Sequence, residues 1–551
     1  MNKIKTITLS LCLTILAVNI QSQTKYWVKF TNKNGTPYTI GNPSAFLTNK
    51  SILRRTTYNI PIDQTDLPVT PAYVSQVASV SGVTLTYVSK WINGVVISIT
   101  NTNVINTINS FSFVSSSVPV NRYKLDIIKL GEFDATLSSA NKTSAINTSS
   151  TYYGGSYWQN KQLNVDCLHS QGYRGQGMTI AILDAGFNNV DLNPLFDSLR
   201  NRGGILGTRD FVTGGNSVYE DDQHGQAVLS CIAAIKPNVI CGSAPRADFW
   251  LLRTEDAATE KIIEEYNWVR GAEFADSVGV DILTTSLGYT TFDIVSQNHT
   301  FADLTGKVSK MSIAATMAAR KGMFVLNAAG NGGGSSWPKV GIPADADSIC
   351  TVGAIDSLYN VAGFSSVGPT ADGRIKPELV ARGANSWVSS PNGSVGYGSG
   401  TSFATPILAG AVACFWQAHK TYNNIKVLDT LKHTASFSLT PNNSRGWGTP
   451  NMCLIPAIIA GLNETKSSEN DLNFKVMPNP FSSFVKIELS SLKYSAVNVQ
   501  IINTLGAVIK TINPTLIGYN FECDLSDLTG GIYFMKISTM QGVVTKKVIR
   551  Q

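Results

Sequence analysis

The stretch that decides the fold is residues 179–186, Thr-Ile-Ala-Ile-Leu-Asp-Ala-Gly, an apolar strand that ends in a carboxylate and a turn glycine. Further short apolar runs follow it along the chain, at 249–252, 282–285, 324–328 and 348–354. Stretches with helical spacing, at 261–278 and 309–321, lie between these runs. Strands and helices in alternation predict an α/β domain whose parallel sheet carries helices on both faces, with functional residues at the carboxyl ends of its strands.

Two further motifs add polar groups to this scaffold. Residues 222–228, Asp-Gln-His-Gly-Gln-Ala-Val, set His224, one of five histidines, before a glycine and an apolar helical run. Residues 398–406, Gly-Ser-Gly-Thr-Ser-Phe-Ala-Thr-Pro, set Ser402 at the start of a buried helix, where backbone N–H groups and the dipole favour negative charge. Each motif alone also fits ordinary structure: Asp184 as a helix cap or ligand, His224 as a structural histidine and Ser402 as an N-cap.

Together, the three residues fit the chemistry of acyl transfer. A serine hydroxyl is a poor nucleophile until an imidazole takes its proton, and the imidazole needs a buried carboxylate to hold its tautomer. The chain order here is Asp184, His224, Ser402. Of the known orders of such triads, this is that of the subtilisin family, whose scaffold is also a parallel α/β sheet.

The segment from about 157 to 460 resembles a subtilisin-like serine protease. Residues 400–406, Gly-Thr-Ser-Phe-Ala-Thr-Pro, are similar to the serine signature of that family. The resemblance implies Ser402 as nucleophile, His224 as general base and acid, and Asp184 as the orienting carboxylate. Ala-Ala-Gly-Asn at 328–331 is similar to the oxyanion segment, which implies that Asn331 and the backbone N–H of Ser402 hold the oxyanion.

The same resemblance implies a substrate-binding surface. This surface consists of two segments that form opposite walls of the first specificity pocket. The segment that comes earlier in the chain also pairs with the substrate. These segments are Ser286, Leu287 and Gly288, and Ala328, Ala329 and Gly330. Two positions depart from the common pattern: Ala185 stands where a hydroxyl residue usually follows the aspartate, and Gln226-Ala227 replaces the usual residues after His224-Gly225. Neither position carries the proton transfers.

The N-terminal residues predict export. Residues 1–22 have a basic start, an apolar stretch and a small residue at Ser22, as in a secretory signal peptide, although a buried strand is the alternative. No later run reaches about 18 apolar residues, so no transmembrane anchor is expected. Ser-, Thr- and Asn-rich stretches suggest two linkers. The expected organisation is signal peptide 1–22, propeptide and linker 23–152, peptidase domain 153–462, linker 463–472 and C-terminal domain 473–551.

The first small domain is predicted to be an α/β unit. It has a strand from Tyr26, helices at 45–58 and 71–80, and two strands within 83–99 around Asn93-Gly94. From about 24 to 134 it resembles, weakly in sequence, an inhibitory propeptide that covers the cleft of its protease until it is cleaved. An independent binding domain is the alternative.

The last small domain alternates apolar residues between Gly and Asn turns, which predicts a small β-sandwich. It resembles the C-terminal sorting domain that the bacterial type IX secretion system recognises. This resemblance implies an extracellular or cell-surface protein of a Gram-negative bacterium. A carbohydrate-binding or spacer sandwich is the alternative.

The charge and the cysteine content limit which binding partners and cofactors are expected. The net charge of +7 is spread over 551 residues without a basic block, so the sequence does not support a nucleic-acid-binding surface. Removal of the signal peptide would leave seven of the eight cysteines, with no CxxC spacing, so neither a zinc site nor a complete disulfide framework is implied. Cys231 and Cys241 flank a short loop and form either a bridge or two buried thiols. The chemistry requires no cofactor; structural calcium is an expectation from the family, with its ligands unknown.

The expected function is therefore that of a secreted serine endopeptidase with protein or peptide substrates, its own propeptide as inhibitor and type IX machinery as partner. A surface adhesin that keeps the fold without catalysis is the alternative from another class. An esterase would be expected to show Gly-x-Ser-x-Gly followed by its acid and histidine, whereas Ser402 stands in Gly-Thr-Ser-Phe-Ala and comes after both.

Overall fold

The computed structural model describes residues 24–121, 152–454, 474–489, 498–504, 507–514, 520–539 and 542–551. The predicted signal peptide, most of the first linker and the whole of the second lie outside these residues. The chain divides into two compact units, residues 1–454 and 455–551, which are described separately. Among the described residues, no helix combines the length and the apolar composition that crossing a bilayer requires.

The N-terminal part of the first unit is an antiparallel sheet flanked by short helices. Its elements are β1 (Thr24–Phe30), α1 (Asn49–Thr57), α2 (Pro71–Ala78), β2 (Val83–Ser89), β3 (Gly94–Ile99), α3 (Val104–Asn109) and β4 (Val114–Asn121), and the strand order is β2-β3-β1-β4. The predicted helix at 45–58 begins only at Asn49, because the Thr48 hydroxyl caps it by accepting the N–H of Ser51 at 3.3 Å. The predicted α/β unit is confirmed.

The rest of the first unit is built on seven parallel strands. Its elements are α4 (Tyr157–Lys161), α5 (Val165–Ser170), β5 (Thr179–Asp184), α6 (Asp197–Asn201), β6 (Ile205–Asp210), α7 (His224–Ala233), β7 (Ile235–Lys236), β8 (Ile240–Cys241), β9 (Asp248–Arg253), α8 (Ile263–Ser277), β10 (Ile282–Thr285), α9 (Lys310–Arg320), β11 (Phe324–Ala328), β12 (Cys350–Ile355), β13 (Leu379–Arg382), β14 (Ser386–Ser389), β15 (Val395–Gly398), α10 (Thr401–Ala418) and α11 (Asn424–Thr434). The order of the large sheet is β13-β12-β11-β10-β5-β9-β6, with every pair parallel.

Helices cover both faces of this sheet, as predicted. Successive side chains of β5 point in opposite directions: Ile180 and Ile182 join the hydrophobic cluster that contains α7 and α10. Ala181 and Leu183 join a second cluster that contains α8 and α9. Because both faces of the strand are buried, its sequence is a continuous apolar run rather than an alternating one.

The five predicted strands are all present, and the two edge strands were missed. β6 is half polar and β13 is only four residues long, so neither carries a clear apolar run. The strand predicted at 348–354 begins instead at Cys350, because Ser348 adopts a positive φ of 61°, which ends the preceding turn.

The second unit contains two antiparallel sheets. Its strands are β16 (Phe474–Met477), β17 (Phe484–Leu489), β18 (Asn498–Ile502), β19 (Val508–Ile512), β20 (Asn520–Asp524), β21 (Gly531–Thr539) and β22 (Gly542–Arg550). The sheet orders are β16-β17-β20 and β19-β18-β21-β22. Val485 and Ile487 of the first sheet share one hydrophobic cluster with Ile501 and Met535 of the second, which is the packing of a sandwich.

One disulfide is present among the described residues, and it is not the pair considered from the sequence. Cys167 of α5 is bonded to Cys453, 286 residues further along the chain. Cys231 of α7 and Cys241 of β8 are both buried free thiols, so the suggested bridge between them is wrong. Burial raises the pKa of both thiols and keeps them protonated.

Candidate active site

Asp184, His224 and Ser402 lie at the ends of three different elements. Asp184 is the last residue of β5, in the middle of the parallel sheet. His224 is the first residue of α7, and Ser402 is the second residue of α10. Both helices pack on the same side of the sheet, and Phe403, next to Ser402, has its ring centroid 6.3 Å from that of His224. The fold therefore gathers residues that are far apart in the sequence.

Asp184 is fully buried and faces the histidine. Its Oδ1 lies 2.8 Å from Nδ1 of His224 and accepts the backbone N–H of Ala185 at 2.9 Å. Because a carboxylate only accepts hydrogen bonds, Nδ1 of His224 is the nitrogen that carries the proton. Oδ2 of Asp184 has no hydrogen-bond partner among the described residues. Ala185, one of the two departures noted in the sequence, offers this oxygen no hydroxyl.

The backbone N–H and one ring nitrogen of His224 differ in their hydrogen bonding. Its N–H donates to Oδ1 of Asp222 at 2.7 Å, which fixes the start of α7. Burial alone would lower the pKa of His224, but the charge of Asp184 and its hydrogen bond outweigh burial and raise that pKa to about 9. Nε2 has no hydrogen-bond partner among the described residues. A ring with Nδ1 protonated and Nε2 free can accept a proton from a nucleophile.

Two of the other histidines, His169 and His299, have structural surroundings. His169 is buried between the Tyr153 hydroxyl, at 2.8 Å, and the carbonyl oxygen of Ser243, at 3.0 Å. Burial lowers its pKa to about 4. Nε2 of His299 lies 2.6 Å from a carboxylate oxygen of Glu265. None of these contacts leads to Ser402.

Ser402 is 1% exposed and sits in the first turn of α10, where backbone N–H groups have no partner within the helix. Its hydroxyl donates to the carbonyl oxygen of Ser286 at 3.3 Å. In return, the Ser286 hydroxyl donates to the carbonyl oxygen of Ser402 at 2.9 Å. In this arrangement the Ser402 hydroxyl is bonded to the backbone rather than to His224.

Asn331 has one end of its amide fixed and the other free. Its Oδ1 accepts two hydrogen bonds from Thr401, from the backbone N–H at 2.9 Å and from the hydroxyl at 2.9 Å. A Cβ atom on Gly400 would lie 3.5 Å from Nδ2 of Asn331, so this NH₂ group borders the first turn of α10. A donor placed there can bind an oxyanion that forms beside Ser402.

Thr401 contacts Asn331 through two hydrogen bonds and was given no role from the sequence. Its Oγ1 donates to Asn331 and accepts the N–H of Gly330 at 3.2 Å, so it joins the oxyanion segment to α10. The signal was present in the motif at 400–406, where a hydroxyl residue directly precedes the serine. Gly330 is required at its position, because its φ is +110° and a Cβ would lie 2.9 Å from the Ser366 hydroxyl oxygen.

The two predicted substrate-binding segments meet beside Asn331. Five of their six residues, Ser286, Leu287, Ala328, Ala329 and Gly330, are buried, and Gly288 is half-buried. Gly288 and Gly330 line a cavity of about 140 Å³. The other residues of its wall are Thr290, Asn331, Gly332, Ser335, Trp337, Lys339, Gly341 and Ser366. No motif in the sequence marked Trp337 or Lys339.

Three carboxylates near the site could offer oxygen ligands to a cation. Glu255, Glu260 and Glu264 have carboxylate oxygens within 4.8 Å of one another. Oxygen ligands of this kind suit calcium. Acidic side chains commonly cluster without a metal, so the cluster by itself assigns no ion.

The N-terminal domain packs on α8 of the peptidase part. Glu273 of α8 accepts hydrogen bonds from the backbone N–H groups of Lys90 and Trp91, at 3.1 and 3.0 Å, and from the Ser89 hydroxyl. The Trp27 and Tyr266 rings lie 5.4 Å apart between centroids. Charged groups also cross this interface and are fully buried.

The buried charges are two arginines of α1 and the acids that surround them. Nη2 of Arg55 lies 3.0 Å from Asp66 and 2.8 Å from Asp276 of α8. Arg54 also pairs with Asp276, and Nζ of Lys321 lies 2.8 Å from Asp66. Buried ion pairs need several partners to offset their desolvation, and this network supplies them.

Three family models match consecutive parts of the chain. The subtilase family model matches residues 175–448, the peptidase S8 propeptide domain of Bacteroidota matches residues 25–145, and a secretion system C-terminal sorting domain matches residues 475–551.

The chain is also similar to individual proteins. It is 32% identical over 282 residues to subtilisin NAT of Bacillus subtilis subsp. natto, an alignment that covers 50% of this chain and 65% of that protein. It is 32% identical to subtilisin of Bacillus pumilus, again over 50% of this chain but over 90% of that protein. The chain thus spans just under two thirds of the first relative. A crystal structure of MycP1 with the N-terminal propeptide removed aligns with a TM-score of 0.43 at 20% identity, over 54% of this chain and 95% of that one.

Proposed function

This chain belongs to the subtilase family, and on that premise we propose that it is a secreted serine endopeptidase with Ser402, His224 and Asp184 as its catalytic residues. The observation that carries the proposal is the buried Asp184 carboxylate 2.8 Å from Nδ1 of His224. Nε2 of the same ring has no hydrogen-bond partner among the described residues, and the ring lies beside Phe403 at the start of α10. That arrangement is the one a general base needs.

The proposed reaction begins with rotation of the Ser402 hydroxyl away from the Ser286 carbonyl and toward Nε2 of His224. Oγ of Ser402 then bonds to the scissile carbonyl carbon as Nε2 takes its proton, and the carbonyl electron pair moves to the oxygen. Nδ2 of Asn331 and the N–H of Ser402 donate to this oxyanion, while Asp184 stabilises the imidazolium. The Thr401 hydroxyl keeps the Asn331 amide in the orientation this step needs.

The tetrahedral species collapses when the bond between carbon and nitrogen breaks. His224 gives its proton to the departing amine, which leaves an ester between the acyl group and Ser402. A water molecule then attacks the ester carbonyl, again with His224 as base, and the carboxylate product leaves with Ser402 restored. All of these steps use protein groups and water, so the proposed chemistry needs no cofactor.

We assign the small domains by the same reasoning. Residues 23–152 act as an inhibitory propeptide with its linker, supported by the propeptide match and by the buried contacts with α8. Residues 1–22 direct export, and residues 473–551 direct passage through a type IX secretion system, supported by the match at 475–551. The mature peptidase of residues 153–462 then acts outside the cell or on its surface.

The catalytic assignment is tested with purified protein and casein. Ser402→Ala should abolish both hydrolysis and labelling by an organophosphate that reacts with activated serines. Ser399→Ala is the matched control, because Ser399 lies in the same segment but is exposed, and its hydroxyl accepts the Asn385 N–H. Equal hydrolysis by Ser402→Ala and the unchanged protein would exclude Ser402 as the nucleophile. Hydrolysis by neither would favour the alternative of a binding protein on a protease scaffold.

The sorting assignment has a separate test in a Bacteroidota host. A chain truncated after Asn470 should accumulate inside the cell envelope, whereas the full chain should reach the medium or the cell surface. Release of the truncated chain at the normal level would exclude a sorting role for residues 473–551.

A further inference from the structure

The cavity beside Asn331 has one charged residue in its wall. Of the ten residues that line it, Lys339 alone is ionisable, and four of the others are glycines. Their lack of side chains leaves room for an incoming group. A volume of about 140 Å³ is several times the roughly 30 Å³ that one water molecule occupies in the liquid, so the cavity can take an amino-acid side chain.

The Lys339 ammonium is held in place without a counter-ion. Lys339 is half-buried, and its Nζ donates to the carbonyl oxygen of Gly368 at 2.8 Å. Nζ also lies 5.7 Å from the centroid of the Phe301 ring. None of the carboxylates in the described part of the chain forms an ion pair with it. An ammonium group has three N–H donors, and Gly368 uses one, so two remain for a ligand.

The cavity begins at the atoms that surround the reacting centre. Asn331, the proposed oxyanion donor, is part of its wall, and Gly330 is bonded to Thr401 beside the nucleophile. Gly288, on the opposite wall, follows two residues after Ser286, whose carbonyl oxygen accepts the Ser402 hydroxyl. Under the proposed function, on which this inference rests, the side chain that enters is the one just before the scissile bond.

We propose that Lys339 makes this protease selective for peptide bonds that follow an acidic residue, glutamate or aspartate. The carboxylate of such a residue accepts hydrogen bonds from the two free N–H donors of Lys339 and neutralises its charge inside the cleft. A lysine or arginine at the same position meets a like charge. A glutamine has nearly the shape of glutamate but lacks the charge, so its amide oxygen accepts a weaker hydrogen bond from the ammonium and does not neutralise its charge.

The test uses three quenched fluorescent peptides that differ only in the residue before the scissile bond, which is Glu, Gln or Lys. The purified protease should cleave the Glu peptide with a kcat/KM about ten- to a hundredfold above that of the Gln peptide, the range that a hydrogen bond to a charged group supports. The Lys peptide should be the slowest of the three. Mass spectrometry of the products establishes that each peptide is cut at the intended bond.

Three variants of Lys339 then assign the preference to this side chain. Lys339→Met should bring the ratio of Glu to Gln cleavage to about one, Lys339→Arg should retain the preference, and Lys339→Glu should favour the Lys peptide. Lys236→Met is the matched control, because Lys236 is exposed on β7 and lies outside the cavity wall, and it should keep the original ratio.

The outcomes separate this inference from the function on which it rests. If the unchanged protein cleaves the Gln peptide as fast as the Glu peptide, or if Lys339→Met keeps the preference, the role of Lys339 is wrong while the protease assignment stands. If the protein cleaves casein but none of the peptides, the new carboxyl termini in the casein digest decide: mostly Glu and Asp support the inference, and other residues overturn it. If nothing is cleaved, both the function and the inference are wrong.

Discussion

Substitution of Arg55 measures how strongly the N-terminal domain binds to the peptidase domain. Its side chain is 1% exposed and contacts two carboxylates, Asp66 of its own domain and Asp276 of α8. Arg55→Met keeps much of the volume but removes the charge. We expect this substitution to weaken docking of the N-terminal domain without changing the fold of either domain.

The expected loss of docking free energy depends on which cations remain paired with Asp66 and Asp276 after the substitution. Removal of one member of a buried ion pair typically costs about 3–5 kcal/mol, because the partner stays buried without compensation. Here Asp276 keeps Arg54, and Asp66 keeps Lys321 at 2.8 Å, so we expect the lower end, about 3 kcal/mol. At 1.4 kcal/mol per factor of ten, this corresponds to about a hundredfold increase in the undocked population.

Lys50 on the same helix supplies the matched control. Its ammonium lies 3.4 Å from Asp281 across the same interface, but the two side chains are 43% and 20% exposed. Exposed ion pairs contribute about 0–1 kcal/mol, so Lys50→Met should raise the undocked population by less than about fivefold. Both substitutions remove one cation from α1, but Arg55 loses two buried ion pairs whereas Lys50 loses one exposed ion pair and a hydrogen bond to the Thr179 hydroxyl.

Native-state hydrogen exchange measures the undocked population directly. The reporters are the amides of Lys90 and Trp91, which donate to Glu273 and lose these bonds when the domains separate. The measurement uses the full chain with Ser402→Ala, so that the propeptide stays attached, and intact mass checks that it does. Arg55→Met should lower protection of these amides about a hundredfold, while strand β11 of the peptidase core keeps its protection.

The reasoning would be refuted by two results. One is a loss of protection in Arg55→Met no larger than in Lys50→Met, which would mean that burial does not strengthen this network. The other is an equal loss in β11, which would mean that the substitution unfolds the peptidase core instead of releasing the N-terminal domain.

Three further predictions concern the oxyanion donor, the pKa of His224 and the disulfide of the peptidase domain. Asn331→Ala should lower kcat about 10²- to 10³-fold with little change in KM, which is the magnitude already known for the oxyanion donor of subtilisin. Thr401→Val should lower kcat less and Thr401→Ser should restore it, whereas a change confined to KM would contradict the positioning role. Because the pKa of His224 is raised to about 9 and catalysis needs its neutral form, kcat/KM should rise with pH until about pH 9. The ion pair of His224 should stabilise the fold fully below about pH 6.5 and lose this contribution as the pH rises through about 9, and a rate profile that is flat from pH 6 to 9 would contradict both expectations. Cys453→Ser should lower the free energy of unfolding by about 2–4 kcal/mol, seen as a lower Tm that added reductant does not lower further, whereas the unchanged protein should lose the same amount in reductant.

The sequence was sufficient for five of the seven strands of the parallel sheet and for where Asp184, His224 and Ser402 lie on their elements, because both depend on local pattern. A buried parallel strand is a continuous apolar run, and its carboxyl end is where Asp184 must lie. His224 and Ser402 each open a helix of small and apolar residues, and α7 and α10 pack on the same face of that sheet. The three residues could therefore be brought together without coordinates.

What the sequence did not reveal depends on contacts between distant segments. Arg55 and Asp276 are 221 residues apart, and nothing in either surrounding sequence marks the pair. Lys339 follows a glycine- and serine-rich turn without periodicity, so its place in the cavity wall depends on how that turn packs against Ser366. The partner of Cys167 could not be predicted either, because the spacing of cysteines in the sequence does not show which thiols lie close together in the fold.

The bond between Cys167 and Cys453, which are separated by 286 positions, closes nearly the whole peptidase domain into one covalent ring. A cut at any single bond between these two cysteines opens the ring but separates no fragment from the rest. A protease secreted at high local concentration meets other copies of itself, and its exposed loops are where such cuts fall. A nicked molecule would migrate as one species on a non-reducing gel and as two on a reducing gel. After a first cut the disulfide therefore keeps both fragments, and with them Asp184, His224 and Ser402, in one covalently linked molecule.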